Sequence, residues 1–204
     1  PKGLEQEVRT YTLGHGWGFL DAADALDESD EVEDKNPVCS WQRVGERVVT
    51  LGSALAADDA LLQKLLPDLF AEENGRQRFL GQGLGSDTPD AQHHWKLISD
   101  AFVQSPDESN VNLLAGFVQG LRTKDPASAA AILDSLVGNA KLDVHYPMLL
   151  GVPRDDADGD RLIASMKRAV SKSSRYNLCT QHGTDGGLSI AKFCEAMEVL
   201  SCME

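Results

Sequence analysis

Long apolar runs are missing from this chain: no stretch reaches the roughly 18 residues needed to cross a bilayer, so no membrane-spanning helix is expected. The opening Pro-Lys-Gly has neither a Met nor a secretory signal pattern, and the chain stops just after a helical stretch. The 204 residues therefore read as a domain cut from a longer polypeptide. Aromatic residues are sparse at 6%, and a composition led by Ala, Leu and Asp suits helices better than sheets. Only four cysteines occur (Cys39, Cys179, Cys194, Cys202), and their spacing fits a reducing cytoplasm rather than a disulfide scaffold. Basic residues are few as well. Lys and Arg number 19 against 32 Asp and Glu, a net charge of −13. That balance argues against general nucleic-acid binding, because neutralising phosphates takes a basic footprint. It is steepest in residues 1–35, where ten acids face Lys2, Arg9 and Lys35.

Catalytic signatures are absent too. Nothing matches a phosphate-cradling GxxxxGK[ST] loop, a nucleophile elbow or HExxH, so no catalytic residue, metal or cofactor is assigned. Gly81-Gln82-Gly83-Leu84-Gly85 is glycine-rich but follows a helical pattern rather than a strand, which makes it a helix terminus and not a dinucleotide site.

What is present is helical periodicity, clearest in residues 109–137. Leu113, Leu114, Phe117, Val118 and Leu121 form one apolar stripe of period 3.6. Gly116 and Gly120 sit inside that helix, at a cost of up to roughly 1 kcal/mol each against Ala, which fits either another helix backbone passing close by or simply a tolerated, mildly destabilising residue. Asp125-Pro126 opens a second helix with Ala129, Ile132, Leu133, Leu136 and Val137 on one face, and Gly138-Asn139 stops it. Such a pair cannot bury its apolar faces alone.

Weaker copies lie on both sides. Gln82-Gly83-Leu84 and Gln119-Gly120-Leu121 are 37 residues apart, and Leu51-Gly52-Ser53 echoes Leu84-Gly85-Ser86 at 33. Second helices end alike, at Asp68-Leu69-Phe70, Asp100-Ala101-Phe102 and Asp134-Ser135-Leu136. Spacings of this size with helix–turn–helix content mark a stacked repeat. The array starts near Ser40, with Trp41, Val44, Val48 and Leu51 inward, and Pro67 is expected to kink or break the next helix. A short helix from Arg76 to Leu84 precedes one carrying Ala91, Trp95, Ile98 and Phe102. Later helices bury Leu162, Ile163, Met166 and Val170, then, from about Gly187, Ile190, Phe193, Cys194, Met197 and Leu200. Before the array, Val8, Tyr11 and Leu13 suit a helix end or a short strand, residues 14–18 a glycine-rich loop, residues 19–26 a short helix, and residues 27–36 an acidic loop.

Four constellations invite chemistry. Residues 154–160 resemble a calcium loop, but Arg154 and Ser165 occupy the end positions that need carboxylates, so the stretch reads as an acidic loop whose last Asp caps a helix. Cys179, His182, Cys194 and Cys202 are possible zinc ligands, yet the last two lie about 12 Å apart along a helix, too far for one tetrahedral site. His93 and His94 point about 100° apart and are placed at a solvent-facing rim. Lys167, Arg168, Lys172 and Arg175 form the one local basic cluster, and these are the candidate binding residues.

In repeat length and helix-pair grammar, residues 40–204 resemble the HEAT-like and armadillo-like α-solenoids. The carrying motifs are Leu84-Gly85-Ser86-Asp87-Thr88-Pro89, Leu121 to Pro126 and the Asp-x-Phe/Leu helix ends. The resemblance implies an all-α fold, a right-handed stack of antiparallel helix pairs, behind a less regular acidic segment at residues 1–39. It also implies a scaffold or recognition surface of the kind appended to nucleases or NTPases in large bacterial chains, and carries over no functional residue. The expectation is a non-enzymatic, cytoplasmic interaction module that binds a protein partner or other domains of its own polypeptide, not nucleic acid or a membrane. The alternative is an accessory domain of a nucleic-acid-processing or NTP-driven enzyme, contacting phosphate through the 167–175 cluster.

Overall fold

A computed structural model describes residues 3–14, 40–71, 75–106, 109–176 and 187–203. The sequence readings for residues 15–36, and Cys39, Cys179 and His182, lie outside them. Among the described residues the chain is all-helical, with eleven α-helices, one 3-10 turn and no strand. It divides into two compact units, residues 1–125 and 126–204.

The first unit holds α1 (Leu4–Thr12), α2 (Ser40–Leu55), α3 (Asp59–Ala71), α4 (Arg76–Asp87), α5 (Ala91–Gln104) and α6 (Asn112–Lys124). Residues 4–12 are thus helical, not a strand. Contacts alternate along the chain: α2 packs on α4 and α4 on α6, while α3 packs on α5. The apolar stripes read from the sequence face inward, with Val44, Val48, Leu65, Leu69, Ile98, Phe102, Leu113, Phe117 and Val118 fully buried. Phe70 meets Phe102 edge to face at 5.4 Å between centroids. Asp90 caps α5 by accepting from the His93 N–H. Two local expectations change. α3 runs on through Pro67 instead of ending there, and residues 81–85 lie inside α4, which continues to Asp87, rather than at its terminus.

Glycine explains why α4 extends that far. On one side, a side chain at Gly81 or Gly85 would overlap the carbonyl oxygen of Leu113 or Phe117, and α6 returns the contact with Gly116 on the Arg78 carbonyl and Gly120 on the Gln82 carbonyl. On the other side, Gly83 lies against the Val49 carbonyl and Gly52 of α2 against the Leu80 carbonyl. Each glycine loses about 1 kcal/mol of helix propensity relative to Ala. The loss is offset by backbone-to-backbone dispersion and by Cα–H···O contacts of about 0.5–1 kcal/mol each.

α1 is fastened to this unit at both polar and apolar points. Val8 and Thr12 are fully buried. Arg76, only 3% exposed, donates from Nη1 to the Tyr11 carbonyl (3.0 Å) in the last turn of α1 and from Nη2 to the Gly14 carbonyl (2.9 Å) just beyond it. Surface pairs Arg9–Asp68, Lys64–Glu5 and Arg47–Glu7 add little, as exposed ion pairs do.

The second unit holds α7 (Pro126–Ser135), α8 (Ala140–Asp143), α9 (Tyr146–Leu150), α10 (Asp156–Arg168), a 3-10 turn (Ser173–Tyr176) and α11 (Ile190–Ser201). Pro126 begins α7, where a missing N–H costs nothing. Ala129, Ile132, Leu133, Leu136, Leu142, Tyr146, Leu149, Leu162, Ile163 and Met166 form the core. Val137 and Val170 stay exposed instead.

α11 also departs from its expected burial. Ile190 is 73% exposed, Met197 39%, and Cys194 is exposed, whereas Ala196 is fully buried. The helix docks on α10 by its small face: the Lys192 stem and Leu188 lie over Gly159, where a Cβ would be too close. Its cap is Ser189, whose side chain accepts from the Lys192 N–H. At the head of α10 the capping acid is Asp155, accepting from the Asp158 N–H at 2.8 Å, and not the last Asp of the loop. Asp160 pairs with Lys192 instead.

Candidate functional site

The four basic residues assigned from sequence divide into two pairs. Arg168, in the last turn of α10, grips the buried Asp143 with Nε at 3.2 Å and Nη2 at 2.8 Å. Its guanidinium also sits 5.3 Å from the centroid of the Tyr146 ring. Arg175 donates to the Val144 carbonyl at 2.8 Å and lies 3.3 Å from His145 Nδ1. Both arginines thus hold the turn between α8 and α9. Burial, then the charges of Arg175 and Lys141, push the His145 imidazole down to about 4, so it stays neutral beside Arg175. Burial raises the Tyr146 hydroxyl to about 12. Lys167 and Lys172 remain exposed.

His93 and His94 converge where sequence reasoning kept them apart. His93 Nε2 is hydrogen-bonded to Asp59 Oδ2 at 2.7 Å, and His94 Nε2 lies 3.0 Å from Asp59 Oδ1 but makes no hydrogen bond there. The His93 hydrogen bond, and then the two imidazoles' charge, hold the Asp59 carboxyl below its usual range, although desolvation opposes them. His94 is only 1% exposed, and its Nδ1 meets the Thr88 hydroxyl at 2.7 Å. The rim placement therefore describes His93 alone. The cluster ties the start of α3 to the start of α5, and among the described residues no group of three or more His, Cys, Asp or Glu side chains could hold a metal ion.

A third feature escaped the sequence. The C-terminal turns of α3 and α5 border an open groove of about 600 Å³, lined by Gln63, Leu66, Pro67, Phe70, Ala101 and Gln104 among others. Leu66 and Phe70 show only their edges, at 3% and 2% exposure. Beside them the Asn110 N–H donates to the Phe70 carbonyl at 2.9 Å, and the Ser105 hydroxyl to the Phe102 carbonyl at 2.6 Å. Pro67 has no N–H to give to the Gln63 carbonyl one turn earlier. The groove joins an apolar floor to an amide rim and helix-end carbonyls, and among the described residues no titratable side chain lines it. The available signal was Pro67 itself, an interior proline on a leucine-rich helix.

Among the described residues, no helix is long and apolar enough to cross a membrane. Compared with protein-family models, with curated proteins and with solved structures, the chain finds a match in none of the three.

Proposed function

We propose that this chain is a non-enzymatic helical-repeat module of the α-solenoid kind, a right-handed stack of helix pairs that binds a protein partner as part of a larger cytoplasmic polypeptide. The observation that carries the reading is the alternation of helix contacts in the first unit, α2 on α4 on α6 and α3 on α5. A compact bundle has no need of such alternation; stacked hairpins produce it. α2, α4 and α6 start at residues 40, 76 and 112, 36 apart each time. The sequence echoes make matching contacts between them. Gly52 and Gly85 each meet the following helix of the row, while Gly83 and Gly120 each meet the preceding one. The α3–α5 groove gives such a module a recognition surface, and the free thiols of Cys194 and Cys202 agree with a reducing compartment. The basic cluster supports the phosphate-binding alternative less, since Arg168 and Arg175 are engaged within the protein.

A photo-crosslinking residue tests this reading when placed at Gln104 and, as a control, at exposed Thr123 on α6. In lysate of the source organism, one protein should be captured from Gln104 only, and Ala101→Arg on the same chain should abolish the adduct. Equal adducts at both positions, or none at Gln104, overturn the reading.

A further inference from the structure

We infer that the row formed by α2, α4 and α6 binds an acidic peptide segment, whose carboxylate pairs with Arg78 while a neighbouring apolar side chain enters the hollow beside Phe79. This is a second surface, separate from the α3–α5 groove, and it adds the chemistry of a partner to the interaction reading above. Arg78 on α4 is half-buried, and among the described residues its side chain makes one hydrogen bond, from Nε to Gln119 Oε1 of α6 at 3.1 Å. The guanidinium carries four more N–H donors on its two Nη atoms. Arg47, Arg161 and Arg168, also half-buried, each hold a carboxylate, those of Glu7, Asp134 and Asp143. Among the described residues Arg78 has none. Burial alone therefore pushes its guanidinium below the ordinary arginine value. A cation drawn out of water without a counter-charge costs stability, and a carboxylate arriving at the two Nη groups offsets that cost through charge-assisted hydrogen bonds.

The surroundings complete the subsite. Gln82 lies one turn along α4 from Arg78 on the same face, and its amide has no hydrogen bond among the described residues. Gln82 also lines a hollow of about 350 Å³ between α2 and α4, together with Gln42, Gly45, Val49 and Phe79. The half-buried Phe79 rests its ring against Gly45, giving the hollow an apolar floor between glutamine walls. Glu46 is the one charged side chain lining it, so a ligand's carboxylate is repelled there and drawn to Arg78. An apolar anchor beside an arginine is the composition of binding hot spots. A segment running from Arg78 to the hollow crosses α4 toward α2, and so leads away from α6 and Thr123. The chain's net charge of −13 opposes an acidic partner at long range, so the attraction acts at contact distance and substitution, not salt, is the informative perturbation.

The test is selection of displayed random peptides against the full chain, with counter-selection against Arg78→Gln. Circular dichroism verifies that each variant folds. Retained peptides should carry Asp or Glu within a few residues of Leu, Phe or Trp. Changing that acid to its amide should weaken binding about tenfold on the unaltered chain and have no further effect on Arg78→Gln, as direct pairing requires. Gln82→Glu places an internal carboxylate one turn from Arg78 and should weaken the same peptides about tenfold, whereas Gln104→Lys in the other groove should leave them unchanged. Neutral or basic Arg78-dependent peptides, additive losses from the amide and Arg78→Gln, no effect of Gln82→Glu, or an equal loss on Gln104→Lys overturn the inference. The absence of any Arg78-dependent peptide overturns it too, and an adduct at Gln104 then leaves the interaction reading standing.

Discussion

Alanine at Gly116 and alanine at Gly45 should move stability in opposite directions. In an open helix interior, Gly→Ala stabilises by up to about 1 kcal/mol through lost unfolded-state freedom. Gly45 of α2 approximates that case, because the nearest atom to an added Cβ is Phe79 Cε1 at 3.5 Å, ordinary van der Waals contact with a side chain. At Gly116 the same methyl overlaps the Arg78 carbonyl oxygen and stands 2.8 Å from its carbon, and neither backbone can step aside without its whole helix. α4 and α6 would have to part by about 1 Å, forfeiting a quarter to a half of each dispersion well across that face. Overpacking typically costs 1–3 kcal/mol, so after the propensity gain the net loss is about 1–2 kcal/mol. Urea denaturation followed by circular dichroism reads both numbers, with unchanged m-values as the control for two-state unfolding. If Gly116→Ala proves as stable as Gly45→Ala, α4 and α6 are not in backbone contact and the packing argument fails.

Three further outcomes are expected. Arg168→Ala leaves the Asp143 carboxylate, 5% exposed, without its cation and should destabilise by about 2–4 kcal/mol, whereas Arg168→Ala with Asp143→Asn should recover part of the loss; equal losses in calorimetry would refute the pairing. His145 stays neutral in the folded protein down to about pH 4, but an unfolded imidazole takes its proton near 6.5. The unfolded state therefore binds the extra proton between those values, and stability should fall by about 1–2 kcal/mol, after discounting for partial exposure, as pH drops from about 6.5 to about 4. His145→Gln, which does not titrate, should flatten that part of the urea-midpoint profile, and an unchanged slope counts against the cause. Ala169 closes α10 in the left-handed region at φ 53°, so Ala169→Gly should raise the thermal midpoint, by about 1 kcal/mol of stability; a drop would mean the strain is absent.

The helical class and most buried faces were legible because period-3.6 stripes depend on local spacing alone: Leu113, Phe117, Ile132 and Met166 are buried as expected. Gly116 and Gly120 were half legible, since a glycine inside an apolar helix fits a close neighbour and a merely tolerated residue alike, and only the carbonyls of Arg78 and Gln82 decide between them. Periodicity does not say which side of a stripe finds a partner. On α11 the stripe of Ile190, Cys194 and Met197 faces out and Ala196 faces in, because room beneath the helix is set by Gly159, more than thirty residues earlier. The meeting of His93 and His94 at Asp59 and the groove at Pro67 and Gln104 share that difficulty. Each is made by two helices far apart in sequence, and spacing within either one carries no trace of the other.

The glycine contacts of α4 also govern how the first unit can move. With carbonyls of α2 and α6 lodged in the gaps at Gly81, Gly83 and Gly85, a slip by one residue would drive a side chain into a backbone. The three helices are therefore held in registry like meshed teeth and displace together or not at all. Their amides should open for hydrogen exchange as one slow unit, while α3 and α5, joined by side chains, breathe independently on the face that carries the groove.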